Sequence, residues 1–370
     1  MKAGWQTKTF GDVLDIRNGK NQREVESADG EYPIFGSAGN VMGYATSYIC
    51  KAGATIVGRK GNINTPIYTE TNFWNVDTAF GLEAKSELDS RFLFYFCLSY
   101  DFSIHNRGTT IPSLVKSDLL QIKIQIPPLP EQQRIVGILD EAFDGIATVK
   151  ANAEQNLQNA RALFESHLQS VFTQRGKGWV ERQLGEIAEV QSGGTPSISQ
   201  KKYWGGDIPW YSSGELNETY TKHPERKITE DGLNNSNAKL FPKGSLLIGM
   251  YDTAALKMSI LDRDGAFNQA IAGIKPNDKI EVEFILHAIN ANKPRLLLER
   301  RGTRQKNLSL GKIKEILIPL PEPTVQRAVV SHLRSVMDET QRLESLYQRK
   351  LAALDELKKS LLHQAFSGAL

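Results

Sequence analysis

From Leu139, alternate steps of three and four residues fall on Ala142, Ile146, Val149, Ala153, Asn156, Ala160, Leu163 and His167, and only Asn156 and His167 are polar. Heptad spacing of this kind is the mark of a coiled-coil helix. Proline at the first helical position, followed by acidic and amide residues, sets its start in Pro127-Pro128-Leu129-Pro130-Glu131-Gln132-Gln133-Arg134. Gly176 and Gly178 supply the stop, so the helix should run to about Gln174. A second seam follows 194 residues on: Leu333, Val336, Thr340, Leu343, Tyr347, Lys350, Leu354, Leu357 and Leu361. It comes after Ile318-Pro319-Leu320-Pro321-Glu322, an echo of Ile126-Pro127-Pro128-Leu129-Pro130-Glu131. The polar interruption Asn156 matches Lys350, and Phe172 matches Phe366. At about 1.5 Å per residue each helix is roughly 65 Å long. An apolar stripe of that length needs a partner, and each copy is the predicted partner of the other.

The segments between the seams repeat too. Gly4-Trp5 through Ile16 recurs as Gly178-Trp179 through Val190, and Gly19 recurs as Gly193. Tyr32-Pro33-Ile34-Phe35 matches Ile208-Pro209-Trp210-Tyr211, and Lys51 to Gly58 matches Pro242 to Gly249. Asp77 to Gly81 is aligned with Asn268 to Ala272, and a helix after Asp89-Ser90 with one from Glu283 to Asn290. A period near 190 is too long for a solenoid and means a duplicated domain. Strands bounded by glycine turns, with one or two helices, give an α/β (α+β) domain. The division is therefore a globular domain at 1–128, a long helix at 129–176, a second globular domain at 177–320 and a second long helix at 321–370. The expected fold is two duplicated globular domains separated by two long antiparallel coiled-coil helices, with pseudo-two-fold symmetry.

Charge separates the copies. Residues 1–128 are balanced, whereas 176–320 carry a net +4. That excess equals the one made by Arg295, Arg300, Arg301, Arg304 and Lys306 against Glu299. These cations surround the loop Arg301-Gly302-Thr303-Arg304-Gln305-Lys306, the counterpart of Arg107-Gly108-Thr109-Thr110. Arginine's planar fork suits phosphate oxygens and the guanine edge. Glycine beside small hydroxyl residues lets a backbone approach a phosphate. Further candidates for contact are Arg59, Lys60 and Asn62 after a buried strand, Tyr251 at the matching place, and the basic-aromatic run of Thr195, Lys201, Lys202 and Tyr203.

Other chemistries find little support. Two cysteines, Cys50 and Cys97, are too few for a disulfide framework or a cysteine zinc site. No Walker or dinucleotide glycine loop, metal-spaced histidines or Gly-x-Ser-x-Gly elbow occurs. Asp77 with Glu83-Ala84-Lys85 is the nearest approach to a magnesium nuclease set, and its second copy lacks the carboxylates. The start Met1-Lys2-Ala3-Gly4-Trp5 has no apolar signal region, and no run is long enough to span a membrane, which points to the cytoplasm.

Taken together, the Trp5 and Trp179 openings, the Gly-Thr loops, Leu129-Pro130-Glu131-Gln132-Gln133 and the ending Leu362-His363-Gln364-Ala365-Phe366-Ser367-Gly368 resemble the specificity subunits of type I restriction–modification systems. The resemblance implies that each globular domain is a target-recognition domain reading one half of a split double-stranded DNA sequence. It implies that the helices act as a ruler and dock two methyltransferase subunits, with motor-nuclease subunits completing the complex. S-adenosylmethionine, ATP and Mg²⁺ would then belong to those partners, with no cofactor and no catalysis in this chain. The second helix start departs from the pattern, with Pro321-Glu322-Pro323-Thr324-Val325-Gln326-Arg327 where the first has Glu131-Gln132-Gln133-Arg134. Two other readings stay open at this level: a structural coiled-coil assembly protein without DNA contact, and a fused restriction enzyme.

Overall fold

The computed structural model describes residues 4–301 and 308–370; the side chains of Asp252, Glu299, Arg300 and Arg301 lie outside the description. Four helices of ten or more residues occur among the described residues: α1 (Ser90–Ser99), α2 (Leu129–Thr173), α3 (Val282–Arg301) and α4 (Pro323–Ser367). None is long and apolar enough to cross a membrane. The chain forms two compact units, Met1–Gln155 with Tyr347–Leu370, and Asn156–Leu346. Each unit thus takes one globular domain, the start of one long helix and the end of the other.

In the first unit, β1 (Gln6–Thr9) pairs antiparallel with β9 (Lys123–Ile126). A four-stranded sheet runs β2 (Leu14–Asn18), β8 (Ala79–Ala84), β5 (Thr55–Gly58), β6 (Ile67–Tyr68). A three-stranded sheet runs β4 (Val41–Ala45), β3 (Tyr32–Phe35), β7 (Trp74–Asn75), with the β3–β7 pair parallel. Apart from Thr55, strand β5 and most of β8 are buried apolar runs, as expected of strands covered on both faces. The α1 face bearing Phe92, Leu93 and Phe96 packs on this core, and the Asp89 side chain caps α1 by accepting from Arg91 and Phe92 N–H. Ile135, Val136 and Leu139 of α2 join the same core, as do Leu362 and Ala365 near the end of α4. Phe366 stacks edge-on against Phe92, with ring centroids 5.1 Å apart.

The second unit repeats this topology strand for strand. Here β10 (Val180–Gln183) pairs with β18 (Leu317–Leu320). The four-stranded sheet is β11 (Val190–Ser192), β17 (Ile271–Ile274), β14 (Leu246–Gly249), β15 (Met258–Ile260). The three-stranded sheet is β13 (Arg226–Ile228), β12 (Trp204–Tyr211), β16 (Ala266–Phe267), again with a parallel pair, β12–β16. Phe172 near the end of α2 packs on Phe284 of α3 at 5.3 Å, the counterpart of Phe366 on Phe92. The recurring glycine is explained by contact, since a Cβ at Gly19 would lie 1.8 Å from the Val76 carbonyl oxygen and one at Gly193 2.1 Å from that of Phe267.

Pairing registers correct two of the sequence alignments. Gly58 stands opposite Ala79 and Gly249 opposite Ile271, so Ala79 corresponds to Ile271 rather than to Ala270. A one-residue slip would send every side chain of the strand to the wrong face. Likewise Gln6 pairs with Ile126 and Val180 with Leu320, so Ile126 corresponds to Leu320 and the two Ile-Pro-Leu-Pro echoes are out of step by two residues. The helix aligned with Glu283–Asn290 runs on to Arg301 through Pro294. Leu296 and Leu297 pack against the core there, which offsets the N–H that proline lacks.

The long helices pair antiparallel within each unit. In the first, Lys150 bonds Asp355 at 2.8 Å and Lys358 lies over the Phe143 ring at 4.7 Å. In the second, Arg161 meets Glu344 at 3.3 Å and the His167 and His332 Nε2 atoms are 2.8 Å apart. One line of the expected seam is inward: Leu139, Ala153 and Ala160 are buried, with Ile146 and His167 half-buried. The other line is displaced by one residue. Val149, Asn156 and Leu163 are exposed, and Phe143, Lys150, Leu157, Phe164 and Val171 take the half-buried positions. The second helix agrees, with Lys350 and Leu357 exposed and Leu351 and Lys358 half-buried. The matched polar pair Asn156 and Lys350 therefore faces solvent and does not interrupt a seam.

Candidate nucleic-acid interface

In the first copy two candidate segments, some 50 residues apart in sequence, are bonded into one surface. After β5 the chain turns sharply at Gly58, where a Cβ would lie 1.8 Å from the Asn62 carbonyl oxygen, and Gly61 takes φ +85°. Arg59 and Lys60 N–H both donate to the Thr78 carbonyl, at 2.7 and 3.1 Å. The Gly61 N–H donates to the Pro112 carbonyl at 2.9 Å, and Leu114 N–H to the Arg59 carbonyl at 2.8 Å. The second segment is held in shape by Asn106, whose Oδ1 accepts from Gly108 N–H at 2.9 Å and Ser113 N–H at 2.8 Å. A Cβ at Gly108 would lie 1.8 Å from the Ile111 carbonyl oxygen, so only glycine fits the turn. Lys60, Asn62, Thr109 and Thr110 are exposed on this surface, with Ile111.

The arginines play different parts from Lys60. The Arg107 guanidinium is fixed to Asp118, Nε donating at 2.8 Å and Nη2 at 3.3 Å. Those hydrogen bonds raise the arginine's pKa and lower that of Asp118. Arg59 is half-buried, donates to the Asp77 carbonyl at 3.3 Å and lies over the Phe80 ring. Arg107 is nonetheless exposed, as is the ammonium of Lys60, so both can meet an anion.

The second copy repeats one bond of this frame among the described residues. Leu308 N–H donates to the Met250 carbonyl at 2.9 Å, as Leu114 does to Arg59. Tyr251 is half-buried and packs against the apolar core, so it presents one edge at most. The side chains of Arg300 and Arg301, and all of Thr303, Arg304, Gln305 and Lys306, lie outside the described residues. Thr195 hydrogen-bonds the Gln269 side chain, beside Gly194, whose carbonyl accepts from the Trp210 indole at 2.9 Å. Lys201 and Lys202 are exposed on a short turn ending at Tyr203, and Lys202 lies 3.8 Å from Asp231. No described contact joins this turn to Tyr251.

Arg226 and Lys227, not singled out in the sequence, lie beside that turn. Ile198, Lys201, Trp204, Glu225, Arg226 and Lys227 line a concavity of about 450 Å³, with Arg226 over the Trp204 ring at 5.5 Å. Arg226 and Lys227 arrive on β13, which pairs with β12, and nothing in their local sequence distinguishes them from ordinary surface cations. A basic, aromatic concavity can hold a phosphate or the face of a base.

The carboxylates near Asp77 form no metal set. Glu83 is paired with Arg17 at 3.0 Å and accepts from Lys51 N–H at 3.0 Å, while Lys85 donates to the Gly11 and Asp12 carbonyls. Among the described residues no group of three or more potential metal ligands is found.

Residues 2–159 and 176–350 match the family model of the type I restriction modification DNA specificity domain. The EcoDI specificity subunit of Escherichia coli is 23% identical over 100% of this chain and 89% of its own length. The MjaIX specificity subunit of Methanocaldococcus jannaschii is 30% identical, over 42% of this chain and 37% of that protein. The EcoR124I/EcoR124II subunit of Escherichia coli is 28% identical, and the match spans 58% of this chain and 54% of that relative. In fold, the chain is similar to one from a type I R-M system solved for its complex assembly, with TM-score 0.78, 18% identity and coverage of 100% and 99%. It is also similar to the HsdS subunit of Thermoanaerobacter tengcongensis, with TM-score 0.68, 19% identity and coverage of 100% and 98%. The chain belongs to the family of type I restriction–modification specificity subunits.

Proposed function

We propose that this chain is the non-catalytic DNA reader of a type I restriction–modification complex. Residues 1–128 read one half of a bipartite duplex site and residues 177–320 the other. The helix segments 129–176 and 321–370 fix the gap and dock two methyltransferase subunits. The methyltransferases supply S-adenosylmethionine chemistry, and motor-nuclease subunits, where present, use ATP and Mg²⁺. Such a complex works on DNA in the cytoplasm.

The observation that carries this reading is a backbone bond present in both copies beside two segments of unlike sequence. The same backbone bond closes both, from Leu114 to Arg59 and from Leu308 to Met250. The side chains differ: Lys60, Asn62, Thr109 and Thr110 in one copy, and Tyr251 with the sequence Arg300, Arg301, Thr303, Arg304, Gln305 and Lys306 in the other. A shared backbone bond with different residues around it suits two half-sites of different sequence. A pure coiled-coil assembly protein would have no use for the difference.

The test is selection from a random duplex pool by the chain co-purified with its methyltransferase. The expected product is a split motif with two unlike halves and a fixed gap. Recovery of unselected sequence, with no motif, would favour the assembly protein.

A further inference from the structure

The contact between each globular domain and the helix that leaves it is built twice with opposite charge. In the first copy, Arg91 on α1 bonds Asp140 on α2 at 2.6 Å, and the buried Tyr95 hydroxyl donates to the same carboxylate. In the second, the equivalent positions hold Glu283 on α3 and Arg334 on α4. Arg334 Nε donates to the two Glu283 oxygens at 2.9 and 3.0 Å, and its Nη2 also reaches Glu283. Tyr220 donates a further hydrogen bond to Glu283 at 3.1 Å.

The equivalence is fixed by a pair of buried glutamines. Gln132 Oε1 accepts from Asp89 N–H and Gln326 Oε1 from Glu281 N–H, two residues before Arg91 and Glu283 respectively. Asp140 and Arg334 each stand eight residues beyond their glutamine. Arginine on the domain meets aspartate on the helix in one copy, and glutamate on the domain meets arginine on the helix in the other.

We infer that this reversed pair decides which globular domain each long helix accepts. Seating the second domain on α2 would bring Glu283 against Asp140, and seating the first on α4 would bring Arg91 against Arg334. Either places like charges together, most severely where the buried Glu283 would meet the partly exposed Asp140, and more mildly where the partly exposed Arg91 would meet Arg334. Glu283 has a side chain only 3% exposed, so it has little water to retreat to. Two domains of one topology are thereby kept from exchanging helices, within a chain or between copies of it. The inference is independent of any DNA contact.

The test is a full-length hybrid in which residues 4–128 are replaced by residues 178–322, so that Glu283 faces Asp140. The expected result is a melting midpoint below that of the parent, raised by roughly 5 °C when Asp140→Arg is added. In the native chain, Arg91→Glu and Asp140→Arg should each lower the midpoint, and the double variant R91E/D140R should recover most of the loss. If the hybrid folds in neither form, the native-chain series decides. Equal midpoints for the hybrid with and without Asp140→Arg, or a double variant no better than the singles, would overturn the inference.

Discussion

Gln132 holds Asp89: its Oε1 accepts the Asp89 backbone N–H at 2.7 Å, while its Nε2 donates to the Pro127 and Glu87 carbonyls at 2.9 and 3.0 Å. Gln326 makes the same three bonds to Glu281 N–H, Pro321 and Lys279, at 2.8, 2.8 and 3.1 Å. Both side chains are fully buried. Each therefore ties the start of a long helix to the start of its domain's helix. The second helix start, degenerate beside the first in sequence, keeps the one residue that does this.

Replacing either glutamine by leucine strands one donor and two acceptors. Gln132→Leu and Gln326→Leu should each cost about 2–4 kcal/mol, since unsatisfied buried polar groups carry their full desolvation penalty. Thermal melting of the two variants should show similar losses. A cost at one position only would mean that the repeats do not share this joint.

Thr340 predicts the opposite sign. Its hydroxyl is buried between the helices without a hydrogen-bond partner among the described residues, where the first copy has Ile146. Thr340→Val removes a buried polar atom and keeps the branched shape, so stability should rise by about 1 kcal/mol. Chemical denaturation measures it directly.

Acid should weaken the second unit through Glu283. Burial alone would raise this carboxyl, but the neighbouring His287 and the hydrogen bonds and charge of Arg334 outweigh it and hold the pKa at about 2 against an ordinary 4.5. A lowered folded pKa gives stability that is fully present above the unfolded value and lost as pH falls through the folded one. The loss should fall between about pH 4.5 and pH 2 and be on the order of 3 kcal/mol. Glu283→Gln should be less stable at neutral pH and flatter across that window, as followed by denaturation at each pH.

Lys60 is an exposed cation of the first surface, as is Arg107, which is paired with Asp118. If it meets a phosphate, Lys60→Ala should weaken binding to all sequences and reduce the slope of log affinity against log salt by about 0.9. Arg304→Ala tests the second copy in the same way. If it grips a guanine edge instead, it should cost roughly 1–3 kcal/mol on the specific site alone. Fluorescence anisotropy over a salt series, on the chain bound to its methyltransferase, separates these outcomes.

Much of the fold was legible because the repeat is enforced by close contacts. Gly19 and Gly193 recur since nothing larger fits against a backbone oxygen, and Phe172 and Phe366 recur since both fill an aromatic cluster. The phase of the helical seam was not legible. Val149 and Leu163 are as apolar as Leu157 and Phe164, and only the partner helix chooses between steps of three-then-four and four-then-three. The charge reversal at Arg91–Asp140 and Glu283–Arg334 joins residues about 50 positions apart, and no local pattern announces it. The pairing of the Arg59 turn with the Asn106–Leu114 segment was hidden for the same reason, although both were candidates. Arg226 and Lys227 gain interest only when β13 brings them beside Trp204.

The central claim is that each globular domain reads its own half of a split site, and methylation mapping tests it most directly. Residues 1–128 are replaced by the equivalent domain of another family member that carries arginine at the position of Arg91, and the modified sequences are mapped in cells with the cognate methyltransferase. One half of the motif should change while the other half and the gap stay as they were. Alteration of both halves, or of neither, would contradict the account.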